Sequence, residues 1–384
     1  MTLRTQPRLV VQPPYAPSWS NDGVFLPIRS IRKLLDGEPI AWLETGDARL
    51  PAVCRVGDRF DFGFDPYAVA EDILLERWRR VSDRPVTSLL PFHYHTVPGR
   101  LRTLLARLIG KTKARGPTHP WSPDPHALEF LRALLSTIDG GGANRWPEGK
   151  TWAFCTTHDV DTIHGFRLIP RFRRIEEDAG IVAQWNIVAA HYPIDWGVLR
   201  SLEESGHEIA SHGLFHDNRL AFLPPGRIEE RLKRIRETFE GRVTLRGFRS
   251  PSLFTSNALF NILPRYFEYD SSLCDVDEEG RGGCRSLFPF RRGAIDELPI
   301  TLPMDSSLIF QGCAPHVVLR RWLDKLEWIK AVGGVAVLVT HSEPHFSGND
   351  PMLGVYRQIL DHVRRDPAVW ISTPAAIQTA LRAV

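Results

Sequence analysis

The sequence predicts an α/β fold, with a mostly parallel sheet flanked by helices over the last two thirds of the chain and a smaller mixed domain before it. Three observations carry this. Beyond about residue 146, short apolar runs alternate with segments of helical periodicity. The cluster Asp139-Gly140-Gly141-Gly142-Ala143-Asn144, followed by Pro147 and Gly149, breaks both helix and strand and separates that texture from what precedes it. A chain of 384 residues, 43% hydrophobic and 24% charged, has material for one large domain and a smaller one. The predicted domains are therefore residues 1–145 and 146–384.

In the first of these, Asp65-Pro66 reads as an N-cap and first helical residue for a segment running to Arg80, in which Val69, Ile73 and Leu74 recur at helical spacing. His126 to Ile138 reads as a second helix. Between them Leu101, Leu104, Leu105, Leu108 and Ile109 form an apolar face beside Arg100, Arg102, Arg107, Lys111, Lys113 and Arg115. This is the pattern of a basic amphipathic helix, expected to pack on its own domain rather than on a membrane. In the second domain the expected strands are Trp152–Thr157, Ala183–Ala189, Glu208–Ser211, Leu245–Arg249, Val335–Thr340 and Val369–Ser372. The expected helices are Trp196–Glu204, Ile228–Phe239, Val317–Ala331, Met352–Arg364 and Pro374–Arg382. Such alternation gives an open sheet or a barrel, and in both the chemistry collects at the carboxyl ends of the strands.

Lys and Arg number 48 against 45 Asp and Glu, so the net charge of +3 gives no general pull toward nucleic acid or membrane. Five cysteines, odd in number and never spaced as C-x-x-C, argue against a disulfide framework and against a cysteine zinc knuckle. The proline-interrupted stretch from Met1 to about Pro27 has no apolar signal core, and a cytoplasmic location is expected.

Five segments can carry chemistry. Thr157-His158-Asp159-Val160-Asp161 leaves the apolar run Trp152–Cys155, and its two acids suit a carboxylate metal ligand beside a general base, or else the cap of the next helix. In Gly206-His207-Glu208-Ile209-Ala210-Ser211-His212, continuing to His216, the histidines 207 and 212 resemble a zinc protease pair. They are five apart, about 140° around a helix, which prevents shared ligation. His212 and His216 are four apart and only about 40° out of line on a helix, a spacing that lets two imidazoles meet one metal. With an upstream Asp they form an N2O ligand set that leaves a coordination position open for water.

Arg246-Gly247-Phe248-Arg249-Ser250-Pro251 places an arginine where it can orient a carboxylate by charge-assisted hydrogen bonds. Tyr269-Asp270-Ser271-Ser272 is otherwise an ordinary turn. Val335–Thr340 is a buried-type strand ending on His341, where a parallel scaffold would hold a general acid.

In this order the five segments resemble the motif series of the polysaccharide deacetylases, carbohydrate esterase family four with its NodB-homology domain. The resemblance runs from about Lys150 to the C-terminus and is strongest at Gly206–His212 with His216. It implies a distorted (β/α) barrel, NodB-like and related to the TIM barrel. It implies Asp159 as general base, Asp161, His212 and His216 as metal ligands, His341 as acid, and Arg249 orienting Asp159. Two departures matter. The acids are spaced as DxD instead of adjacent, so Asp159 and Asp161 can exchange roles. The fourth motif reads Tyr269-Asp270-Ser271-Ser272 instead of an Asp-Trp form, which leaves Asp270 or Asp275 to support His341.

The implied activity is metal-dependent removal of N-acetyl groups from an amino-sugar-containing glycan or precursor. The cofactor is a divalent metal, zinc first, with Co2+, Ni2+ or Mn2+ as substitutes. The partner is an N-acetylated glycan, oligosaccharide or lipid-linked saccharide, with no nucleic acid and membrane contact disfavoured. An allantoinase-like hydrolase of a non-sugar amide, or a catalytically silent carbohydrate-binding relative, are the alternatives.

Overall fold

The computed structural model describes residues 1–20, 22–32, 35–46, 48–78, 121–140, 146–276 and 282–382. The basic amphipathic segment predicted over residues 101–109 lies outside them, as does the end of the helix predicted to reach Arg80. The chain divides into two units: residues 1–82, 115–143 and 274–286 in the first, and residues 83–114, 144–273 and 287–384 in the second. The break falls at the glycine cluster, but 274–286, which the sequence assigned to the later domain, groups with the first unit.

The first unit is an antiparallel sheet of five strands, β1 (Arg8–Val11), β2 (Val24–Phe25), β3 (Glu38–Thr45), β4 (Ala48–Val56) and β5 (Arg59–Phe62), in the order β2-β1-β3-β4-β5. Its helices α1 (Pro66–Leu74) and α2 (Ala127–Ile138) share a core with Leu9, Leu43 and Val53. Asp65 caps α1 through its carboxylate, which accepts from the Tyr67 and Ala68 N–H groups.

The second unit is a distorted (β/α) barrel. Its strands are β6 (Trp152–Val160), β7 (Ala183–Ile187), β8 (Glu208–Ser211), β9 (Gly247–Phe248), β10 (Tyr269–Asp270), β11 (Phe290–Arg292), β12 (Ile295–Glu297), β13 (Val335–His341) and β14 (Val369–Ile371). They follow the order β11-β12-β10-β9-β8-β7-β6-β13, with β14 also paired to β6, and all pairings are parallel except the β11/β12 hairpin. Residues 298–302 run back from β10 to β13: the Leu298 and Ile300 N–H groups donate to Asp270 and Leu273 carbonyls, and Leu302 donates to Val337.

The helices are α3 (Ile163–Phe166), α4 (Ile169–Ala179), α5 (Trp196–Glu204), α6 (Pro225–Phe239), α7 (Asn257–Ile262), α8 (Asp305–Phe310), α9 (Pro315–Val332), α10 (Asp350–Arg364) and α11 (Pro374–Arg382). All nine residues of β6 are buried, as befits a central parallel strand covered on both faces. The aromatic and branched residues of the helices, among them Phe172, Leu232, Trp322 and Tyr356, are buried in the core around the sheet. No helix of the described residues is long and apolar enough to cross a membrane.

Candidate active site

The carboxyl ends of β6, β8, β9 and β13 bring the predicted residues to one place. Alternation along β6 sends Thr157 and Asp159 to the barrel interior, with Asp161 just beyond the strand's last residue, and His158 to the helical layer. The histidines converge differently from the helical spacing the sequence predicted. β8 ends at Ser211, and His212 and His216 stand on the loop after it rather than on a helix. That loop is pinned by the Ala189 and Ala190 N–H groups, which donate to the Gly213 and Leu214 carbonyls. Gly213 adopts φ +82°, and a Cβ there would meet the Pro251 ring at 2.9 Å, so both conformation and space call for glycine.

The Nε2 atoms of His212 and His216 each lie 3.3 Å from Asp161 Oδ1, and the two ring centroids are 5.3 Å apart. One donor atom from each of the three residues lies within 4.8 Å of the others, and all three residues are buried. The Nδ1 of His212 faces the Arg249 carbonyl at 3.0 Å, which leaves its Nε2 toward Asp161. Asp161 Oδ1 is buried without a hydrogen-bond partner. Two imidazole nitrogens facing one buried carboxylate oxygen fit a divalent cation, which would supply the charge that burial otherwise makes costly.

Asp159 is held differently. Its Oδ1 accepts from Arg249 Nη1 and from Asn186 Nδ2, both at 2.9 Å, while Oδ2 lies 3.8 Å from His212 Nε2. Arg249 is fully buried and is itself fixed: Nη1 donates to Thr157 Oγ1, and Nε and Nη2 donate to the Ser271 carbonyl and hydroxyl. The structure thus brings Asp161 against both imidazoles and Asp159 against the guanidinium.

His341 ends β13 in register with Asp159. Its Nδ1 pairs at 2.7 Å with Asp305 Oδ1, and its backbone N–H donates to Asp305 Oδ2 at 2.8 Å, an oxygen that also accepts from Ser347 Oγ. The carboxylate on His341 is therefore Asp305, and neither Asp270 nor Asp275. Asp270 turns to the Ser272 hydroxyl at 2.7 Å and shares a buried polar pair with Glu297. Asp275 falls in the segment that groups with the first unit.

Burial disfavours every charge in this cluster, and the neighbours decide which charges persist. At Asp159 burial is outweighed by Arg249, then His212 and His341, and its pKa is lowered. At Asp161 burial is outweighed by His216 and His212, and the carboxyl is held well below its usual range. At His341 burial is outweighed by the charge and hydrogen bond of Asp305, with Asp161 and Asp159 behind, and the imidazole is pushed up to about 10. The two loop histidines differ: Asp159 and Asp161 overcome burial at His212 and raise it, whereas burial prevails at His216 and lowers it.

Three contributors were not singled out from the sequence. Asp305 opens a short helix after Leu302-Pro303-Met304, with nothing local to mark it as a partner of His341. Asn186 sits inside the apolar strand β7, and that polar interruption was a legible signal. Glu343, two residues past His341, accepts from the Asp161 and Thr162 N–H groups.

No family model matches the chain. A peptidoglycan deacetylase from Helicobacter pylori is 20% identical over 236 residues, covering 53% of this chain and 80% of that protein. A structure from Mycobacterium smegmatis named for the polysaccharide deacetylases superposes with a TM-score of 0.53 at 22% identity, covering 62% of this chain and 92% of the other. The second unit has the polysaccharide deacetylase fold. A Pseudomonas aeruginosa PAO1 structure named for the same deacetylases gives a TM-score of 0.51 at 13% identity, over 64% of this chain and 95% of its own. The deacetylase fold is also that of Puue allantoinase, which superposes with a TM-score of 0.53 at 15% identity over 65% and 97% of the two chains.

Proposed function

We propose that the deacetylase unit is a metal-dependent hydrolase that removes N-acetyl groups from an amino-sugar-containing glycan or glycan precursor. The observation that carries this reading is the placement of Asp161, His212 and His216, donor atoms within 4.8 Å of one another, beside an arginine-held carboxylate and a carboxylate-held histidine. The motif order and the likeness to a peptidoglycan deacetylase support the glycan substrate.

Asp161, His212 and His216 would hold the cation, with zinc the first candidate for an N2O set. When bound, the cation supplies positive charge that acidifies water and polarises an amide carbonyl. The remaining work belongs to the chain. Arg249 and Asn186 occupy Asp159 Oδ1 and keep the carboxylate ionised, so Oδ2 is free to take a proton from water as its oxygen bonds to the acetyl carbon. Asp305 holds His341 Nδ1, which directs Nε2 outward and keeps the imidazole protonated. As the C–N bond breaks, His341 delivers that proton to the departing amine, and acetate and a free amino sugar separate.

The test is acetate release from a panel of N-acetylated sugars, nucleotide sugars and oligosaccharides, with and without chelator. Chelator-sensitive release from at least one substrate is expected. Because the fold is shared with an allantoinase, allantoin and cyclic amides form a second arm, and turnover confined to that arm would overturn the glycan substrate while leaving the hydrolase.

A further inference from the structure

We propose that Glu343 is a positioning residue for the Asp161 carboxylate, an inference that rests on the metal-site reading above. The argument starts where a ladder ends. β13 and β6 pair in register as far as His341 and Asp159, and the Ser342 N–H still reaches the Asp159 carbonyl at 3.4 Å. Past that point the strands part, and the Asp161 and Thr162 N–H groups have no strand to donate to. Buried backbone donors require a partner. Both donate to a single oxygen, Glu343 Oε1, at 2.9 Å each, and the Thr162 hydroxyl approaches the same atom at 3.3 Å. One carboxylate oxygen thereby replaces the missing strand and fixes the direction in which Asp161 leaves β6 toward His212 and His216.

A second feature points the same way. Glu343 is 1% exposed, and its carboxylate fits because residue 165 has no side chain. A Cβ at Gly165 would lie 2.4 Å from Glu343 Oε1 and 2.7 Å from Ser342 Oγ. Gly165 lies in α3 and is not among the left-handed glycines, so it is needed for clearance and not for backbone conformation. Thr162 already caps α3 through its own side chain, which accepts from the Gly165 N–H. The cap of α3 therefore does not depend on Glu343, and the acceptor serves the Asp161–Thr162 backbone.

The experiment measures the zinc dissociation constant of the purified full-length protein by competition with a chromophoric chelator, alongside the unfolding midpoint of the metal-free form. Glu343→Ala should weaken zinc binding about 10- to 100-fold, the range typical of groups that orient a metal ligand. Glu343→Gln keeps the Oε1 acceptor and should stay within about threefold of wild type by the same reasoning. Gly165→Ala displaces the carboxylate without removing it and should weaken binding in the same direction as Glu343→Ala. Wild-type zinc affinity in both alanine variants, with only the unfolding midpoint lowered, would overturn the proposal, as would a glutamine variant as weak as Glu343→Ala. If Glu343→Ala does not fold, Gly165→Ala against Glu343→Gln decides the matter. A wild-type protein that binds no divalent metal overturns the metal site itself and this inference with it, whereas unchanged affinity in the variants of a zinc-binding wild type overturns this inference alone.

Discussion

The two faces of β6 carry similar residues to opposite ends. Toward the helices, His158 Nδ1 meets Thr340 Oγ1 at 2.7 Å and its Nε2 meets Glu176 Oε1 at 2.5 Å. The Tyr356 hydroxyl donates to the same Glu176 oxygen at 2.8 Å and lies 3.0 Å from Thr156 Oγ1. His207 stands 3.6 Å from the other Glu176 oxygen. Toward the barrel interior, Asp159 and Asp161 meet His212, His216 and His341. Here Asp161 Oδ1 has no hydrogen-bond donor and Asp159 Oδ2 is left toward His212. Both faces bury acids against imidazoles, and each leaves an acid oxygen without a hydrogen bond, Glu176 Oε2 on the outer side and Asp161 Oδ1 on the inner; on the inner face two imidazole nitrogens each lie 3.3 Å from that one oxygen. Histidine and carboxylate content therefore does not mark chemistry, nor does a single unsatisfied buried oxygen; the convergence of three ligand atoms within 4.8 Å of one another does.

The sharpest way to break this contrast is at Asp161. Asp161→Ala should lose bound divalent metal by elemental analysis and lower kcat/KM by more than about 10^3-fold. Full metal content and turnover would leave the interior face no different from the outer one. Replacing His341 with Asn should cost about 10^2- to 10^4-fold in kcat with metal content retained, the cost of losing a general acid. Arg249→Gln should cost about 10- to 100-fold, because it removes an orienting group and leaves the base.

The acid also sets a pH dependence. In the proposed mechanism His341 must carry its proton, and Asp305 raises its pKa, so activity should fall on the alkaline side as that proton is lost. Asp305→Asn removes the raising charge, and the alkaline limb of the kcat/KM profile should move to lower pH. A limb that stays in place would assign that proton to another group. On the outer face, His158→Phe leaves Glu176 buried without its imidazole and should destabilise the fold by about 3–5 kcal/mol. Metal affinity per folded molecule should be unchanged, and a folded variant that had lost it would dissolve the distinction between the faces.

Much of the interior face was legible in the sequence. An apolar run ending in acids, another ending in histidine, and arginine after a short apolar stretch each mark a strand opening at its carboxyl end. Legibility failed where partners meet only through the fold. Asp305 precedes His341 by 36 positions and reaches it because residues 298–302 return beside β13. Asp270, on a recognisable motif, looked the better partner, but β10 directs it to Ser272 and Glu297. The imidazole pair was singled out by a helical spacing that the loop does not use; the two rings do come together, but through a loop and not along a helix face. β10, β11 and β12, at two or three residues each, are too short for alternation to register.

The assignment of residues 274–286 to the first unit bears on how the chain can be cut. Within that unit the Gly283 N–H donates to the Glu76 carboxylate at 2.5 Å, joining positions 207 apart in sequence. A single cleavage near residue 143 would still leave this stretch of the later chain embedded in the fold of the earlier one. Trimming away the first 143 residues would strip the stretch of its surroundings, so the barrel unit should be expressed with the residues that precede it attached.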